Sequence, residues 1–330
     1  MKSCISKIRE LINKPVLNSL LLKDHKKWNL ICGSLDAVQS AQMAVDAYSD
    51  LDKDIIRDVG THLIIYGLFQ ALYVQQDAVS NLCNSMDIDL LKIKDLKTQH
   101  PELYEIRELR NKSIGHPTPS RKDKKPKSTH GMLIDNDSVE LFSYTETGDF
   151  SHAKYKIADC IEKQSQSLRE ILQKVIEKMV LIEKEHKDKH KQKKLRECFS
   201  CSPPYCFEKI FQAISLIDVQ EQGETASQSI GREDSIVSAF RHVKTLLKAV
   251  DSFKGELTKR GLQDYGTSLV RLKIEHSKYP LEKLKEYFSP DLECPLNSQD
   301  ARVYADAAEK NVLSLIEQAK ILDNNYMSTD

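Results

Sequence analysis

Glycine and proline are scarce, at 11 and 10 of 330 residues, below the usual shares of roughly 7% and 5%. So few turn-forming residues in a chain rich in Leu, Ile, Lys and Glu argue against a sandwich, a barrel or a Rossmann fold. Helices are expected instead. Net charge is missing as well. The 49 Lys plus Arg cancel the 49 Asp plus Glu, with a pI near 7.1, which excludes a polybasic protein that binds nucleic acid over its whole surface. Any anion site must be local. No long apolar run is present either: the greasiest stretch, Leu63 to Val74, includes Gln70 and falls short of the ~20 residues a membrane span requires.

The eight cysteines have no framework spacing, and the start, MKSCISKIRELINK, is charged and lacks an apolar core. Together these predict a cytoplasmic protein with reduced thiols and no secretory signal. Hydrophobic residues make up 40% of the chain and charged residues 30%, enough to build a core.

Apolar spacing predicts short helices over 2–13 and 16–24, split by Pro15, then an amphipathic helix over 28–50 with Leu35, Val38, Met43, Val45 and Tyr48 in the core. A long helical run spans 52–86. Its centre, HLIIYGLFQALYVQQDAV, is apolar on nearly every side, as in a helix surrounded by others. A further helix over 89–114, broken near Pro101, ends at Gly115-His116-Pro117, where Gly can turn left-handed and Pro cannot continue. A Lys-rich loop over 118–130 leads to a short hairpin over 132–145, with strands 132–134 and 139–145. A helix then runs from about Tyr155 past Val180, and Pro203 and Pro204 interrupt it. The polar stretch 218–234 reads as a linker. Beyond it Ile236, Ala239, Val243, Leu246, Val250 and Phe253 recur at steps of three and four, a bundle seam. The predicted architecture is all-α: a helical domain over 1–217, carrying the basic loop and the hairpin, and a C-terminal helical bundle over 235–330.

One local arrangement carries chemistry. In IRELRNKSIGHPT, Arg110, followed by the polar Asn111, stands six residues before His116, around a predicted helix end. A guanidinium can grip a phosphodiester through two parallel hydrogen bonds, and an imidazole moves protons near neutrality. Similar pairs occur at Arg57–His62 and Arg271–His276. The latter is followed by apolar Leu272 and reads as a helix surface, while Arg57–His62 precedes the apolar helix instead of ending one. A purely structural alternative has Asn111 and His116 capping the helix and Arg110 in an ion pair.

RNKSIGHP, preceded by YGLFQALYVQQDAV, resembles the HEPN superfamily over about residues 28–185. The family's signature is an Arg, a polar residue, and a His after four to six residues in all. The resemblance implies a four-to-five-helix bundle, metal-independent RNA cleavage in toxin–antitoxin or anti-phage systems, and a composite site at a homodimer interface. It maps onto Arg110, Asn111 and His116, with an RNA substrate, a second copy and a cognate antitoxin or regulator protein as partners, and neither membrane nor cofactor. Rival readings are a HEPN-like module that binds a nucleotide or partner without cutting, and a helical scaffold.

Three further groups complete the sequence reading. Gln76 and Asp77 follow the stripe Leu63, Tyr66, Gln70, Tyr73 on one helix side, so Asp77 needs a partner; the two residues either orient Arg110 or stitch core helices together. Arg121, Lys122, Lys124, Lys125 and Lys127, with one acidic neighbour, give a local charge of +4 that would attract RNA phosphates. His186, His190, Cys198 and Cys201 have donor types that suit zinc, but their order is not that of a common finger. No Gly-rich phosphate loop, nucleophile elbow or carboxylate-rich metal motif is visible, and no metal site is assigned.

Overall fold

The computed structural model describes residues 1–51, 60–89, 93–117, 128–135, 137–221, 229–262, 269–289 and 296–327. It is mostly helical, with one three-stranded antiparallel sheet. The chain forms two compact units. One comprises Met1–Asn13 and Asp24–Leu181, the other Lys14–Lys23 and Ile182–Asp330. These bounds differ from the domain limits suggested by the polar linker. Residues 218–221 and 229–234 are helical, which leaves only 222–228 between elements, outside the described residues.

The first unit begins with α1 (Lys2–Ile12) and a long helix, α3 (His25–Asp50); α2 (Pro15–Leu22) belongs to the second unit. Asp24 caps α3, its carboxylate accepting from the backbone N–H groups of Lys26 and Lys27. Helix α4 (Thr61–Ser85) packs along α3. Next come α5 (Ile93–Gln99) and α6 (Pro101–Arg110). Proline opens α6 without forfeiting a hydrogen bond, and Glu102 in its first turn with Arg107 and Arg110 in its last suit the helix dipole. A π-helical turn, Asn111–Gly115, follows.

The hairpin foreseen over 132–145 is larger than its sequence suggested. Strands β1 (Ser128–Ile134), β2 (Ser138–Thr145) and β3 (Phe150–Lys156) lie in that order. Residues 128–130, assigned to the basic loop, are strand. Val139 and Leu141 of β2 turn inward onto Phe69, Leu72, Ile106, Leu109, Ile157 and Cys160, forming one core. Strand β3 runs directly into α7 (Ile157–His190), whose residues up to Leu181 complete this unit.

Two expectations about burial fail. Met43 is 65% exposed, because the α3 stripe that faces α4 is Leu35, Val38, Ala41 and Val45. Helix α4 is likewise not enclosed: Leu63 is 77% exposed and Tyr66 also faces solvent. Its inward side is Ile65, Leu68, Phe69, Leu72, Gln75, Gln76 and Val79.

The two glutamines on that inward side enter a buried amide chain. Gln76 Nε2 donates to Leu103 O (3.1 Å) and to Gln164 Oε1 (2.8 Å). Gln164 Nε2 donates to Leu72 O and to Gln75 Oε1, both at 2.9 Å. Gln75 Nε2 passes the chain to Gln42 at 3.1 Å. These groups stitch α3, α4, α6 and α7 together, since a buried amide costs free energy unless its hydrogen bonds are made. Gln76 therefore serves the core and does not contact Arg110.

In the second unit, α2 joins a 3-10 turn (Leu195–Phe199), α8 (Pro203–Glu221), α9 (Ser229–Arg260), α10 (Leu269–Tyr287) and α11 (Ser298–Met327). Pro203 and Pro204 do not merely interrupt a helix. They open a new one, because a proline costs nothing in the first turn. Ala239, Val243, Leu246, Val250 and Phe253 are buried and Ile236 packs at their margin, as the seam predicted. Asp323 of α11 accepts from the backbone N–H groups of Leu195 (2.7 Å) and Arg196 (3.0 Å), pinning the 3-10 turn. No helix among the described residues is long and apolar enough to cross a membrane.

Candidate functional site

The last turn of α6 carries two arginines, and α4 supplies the groups that hold them. Arg107 donates to Asp77 Oδ1 at 2.7 Å and to the Tyr73 hydroxyl at 2.9 Å. Its side chain is 13% exposed while that of Asp77 is 46% exposed. The partner that Asp77 requires is thus Arg107, and the arginine is the more covered member of the pair.

Arg110 is held differently. Its Nε and Nη2 both donate to Gln70 Oε1, at 3.2 and 2.8 Å, and Nη1 donates to Asn111 Oδ1 at 3.2 Å. Both guanidinium carbons lie over the Tyr73 ring, 4.1 Å from its centroid for Arg107 and 4.4 Å for Arg110, a cation–π geometry. Every hydrogen-bond partner of Arg110 among the described residues is a neutral amide, so its charge is positioned without being neutralised. Of five N–H donors, three are engaged. One on each terminal nitrogen remains for an anion.

Gly115 makes room for this arrangement. A Cβ there would fall 2.6 Å from Arg110 Nη1, closer than non-bonded atoms approach, so a larger residue would push the guanidinium aside. The π turn that brings Gly115 to Arg110 closes with His116 N donating to Asn111 O at 2.6 Å. His116 then stands exposed, its ring without a hydrogen-bond partner among the described residues. Arg110, Asn111 and His116 thus lie on successive parts of one turn, straddling the helix end.

A second histidine enters from the sheet. His130 N donates to Pro117 O at 2.8 Å, so β1 begins beside the residue that follows His116. His130 Nδ1 lies 2.8 Å from Ser143 Oγ. Burial and the Lys112 ammonium hold this imidazole below its ordinary range, with Glu108 opposing. No sequence signal marked His130, which fell within the stretch assigned to the basic loop.

The other candidates separate. Arg271 donates to Glu275 at 3.3 Å and is an exposed ion pair on α10, whereas Arg57 lies outside the described residues and His62 is exposed near Tyr66. Arg121, Lys122, Lys124, Lys125 and Lys127 also lie outside the described residues. His186 Nε2 lies 2.8 Å from the Tyr326 hydroxyl, with the His190 ring tilted against it at 4.7 Å between centroids. Cys206 Sγ donates to Cys201 O. Among the described residues, no three His, Cys, Asp or Glu side chains gather as metal donors.

Gln70 and Tyr73 were visible in the sequence only as members of the stripe that leads to Asp77. That stripe faces solvent at Leu63, Tyr66 and Gln70, and beside it α3 and α4 border a shallow open groove of about 350 Å³ lined in part by Leu30, Gln70, Tyr73 and Asp77. No protein-family model, curated protein or solved structure matches the chain.

Proposed function

We propose that the protein is a HEPN-type, metal-independent endoribonuclease of a toxin or anti-phage defence system, cytoplasmic, with a composite active site at a homodimer interface. The observation that carries this reading is the state of Arg110: fixed by Gln70 and Asn111, free of any carboxylate among the described residues, and one turn from an exposed imidazole. Arg110 clamps the scissile phosphate and stabilises the charge that builds as the 2′-oxygen bonds to phosphorus. His116 accepts the 2′-hydroxyl proton, and His116 of the partner subunit returns a proton to the departing 5′-oxygen as the P–O bond breaks. Asn111 keeps the guanidinium in register. The exposed Leu63 and Tyr66, on the α4 side that also presents Gln70, offer an apolar surface for the second copy.

The groove beside Gln70 and Tyr73 favours one rival, a module that binds a nucleotide without cutting. Purified protein incubated with bulk RNA separates the two. Cleavage that survives EDTA and leaves a 2′,3′-cyclic phosphate end, from a species of twice 37.7 kDa by light scattering, is the expected result. Intact RNA combined with nucleotide-dependent thermal stabilisation would establish the binding module instead.

A further inference from the structure

The outer face of the sheet has a use that neither the core nor the Arg110 site explains. Alternation along β2 sends Val139 and Leu141 inward and therefore sends Glu140, Phe142 and Tyr144 outward. Register places Phe150 opposite Tyr144 and His152 opposite Phe142 on β3. On β1, Gly131 lies opposite Phe142.

The four rings form a continuous shelf. Phe142 stacks on His152 at 4.8 Å with 20° between planes, and on Phe150 at 6.1 Å with 25°. Phe150 meets Tyr144 at 5.3 Å. Tyr144 is 51% exposed and Phe150 57%, although aromatic rings this large are usually placed under cover. A Cβ on Gly131 would meet nothing within 4 Å, so the β1 side of Phe142 is open.

We propose that this face is a base-stacking platform for single-stranded RNA. Every base has a flat π-face, and aromatic side chains displayed on an antiparallel sheet hold successive unpaired bases by stacking. The surrounding charge suits a polyanion. Lys154 and Lys156 continue the same face of β3; Glu140 pairs with Lys154 (3.0 Å) and His152 (3.1 Å), and Asp135 and Asp137 also act on Lys154, so the excess positive charge comes from the seven residues before β1, whose sequence charge is +4. Exposed aromatic rings also anchor protein–protein contacts, so it is the flat, parallel stacking of Phe142 with His152 and Phe150 and the basic segment before β1 that favour an unpaired RNA strand.

The platform also adjoins the site. The His130–Pro117 hydrogen bond ties the Thr129–Tyr144–Phe150 end of the sheet to the residue after His116. Bases stacked there would leave the continuing strand near the Arg110 turn. The inference rests on the ribonuclease reading for the ligand being a substrate, and not for its binding.

The test is fluorescence anisotropy of a labelled oligouridylate of about 12 nucleotides with full-length protein in the His116→Ala background, which prevents cutting. Tyr144→Ala and Phe150→Ala should each weaken binding about tenfold or more, Tyr144→Phe should bind like the parent, and far-UV circular dichroism should be unchanged in all three. Equal affinity in the alanine variants overturns the platform. So does a loss of dimer in light scattering with RNA affinity intact, which would make the face a contact between copies. If wild-type protein leaves RNA uncut while the alanine variants still lose affinity, the platform stands and the ribonuclease reading falls.

Discussion

Arg107 and Arg110 lean on the same ring, Tyr73, yet among the described residues only Arg107 has a carboxylate beside it. One turn of helix thus presents two cations in opposite electrostatic states. Asp77 neutralises the first, which is nearly buried, and leaves the second, held by amides, with its charge directed outward. The first is built for stability and the second for an incoming anion.

Removing the counter-charge should therefore affect folding more than chemistry. Asp77→Ala strands the Arg107 guanidinium, which is 13% exposed, and should lower the unfolding free energy by about 1–3 kcal/mol in urea titrations. Half of Asp77 is in solvent, which places the effect toward the lower figure. A variant with unchanged stability would show that water already screens the pair.

Cleavage should respond in the opposite way. Arg110→Ala and His116→Ala should each reduce RNA cleavage by about 10²–10⁴-fold while their melting curves match the parent. Arg271→Ala and His276→Ala should cut normally, since Arg271 is a surface ion pair. Gly115→Ala is the finer probe. Its methyl group displaces Arg110 Nη1, and the folded protein should lose at least about tenfold in rate. Full activity in His116→Ala would rule the mechanism out.

Charge should also govern RNA affinity at long range. Replacing Lys122, Lys124, Lys125 and Lys127 with Gln should flatten the salt dependence of binding by about 0.7 log unit for each phosphate that a lysine no longer neutralises. The slope of log affinity against log salt is the readout, and an unaltered slope would mean that these lysines touch no phosphate.

Acid should weaken the second unit through His186. Burial first, then His190, Lys23, Arg260 and Lys189, push its imidazole down to about 4, against an ordinary value near 6.5. In the unfolded chain the ring takes up a proton as pH drops through about 6.5, while the folded chain resists until about 4. The stability tied to the neutral ring is thus complete above pH ~6.5 and is lost as pH falls toward 4. Urea midpoints measured across that window should decline less steeply in His186→Gln than in the parent. Parallel declines would place the acid sensitivity elsewhere.

Much of this architecture was legible because its signals are local. The Gly-His-Pro stop marks where the π turn after α6 ends, at Gly115, without the left-handed glycine expected there, and the steps of three and four from Ala239 to Phe253 mark a buried seam. What stayed hidden depends on distant pairing. Gln70 and Arg110 are 40 positions apart, and nothing in either neighbourhood announces that an amide on α4 will receive a guanidinium from α6. Strand β3 was obscured for a different reason. FSHAKYK turns its large apolar ring, Phe150, to solvent, so the usual inward-apolar alternation is missing. The same oddity made the α4 stripe look like core. Leu63 and Tyr66 have core composition but face outward, and sequence composition cannot tell an uncovered face from a packed one.

The amide chain through Gln76, Gln164, Gln75 and Gln42 has a consequence for how the helices choose their alignment. A leucine can slide one turn along a greasy neighbour and still find hydrocarbon. Gln164 cannot, because its carbonyl and amino ends must meet Gln76, Gln75 and the Leu72 carbonyl at once. A slipped helix would strand several polar groups away from water, each costing about 1–3 kcal/mol. The glutamines thus act as a combination lock on α4 and α7: misaligned bundles that would satisfy the oily residues are rejected by the amides, and the spacing between Arg110 and its holders on α4 is inherited from that choice.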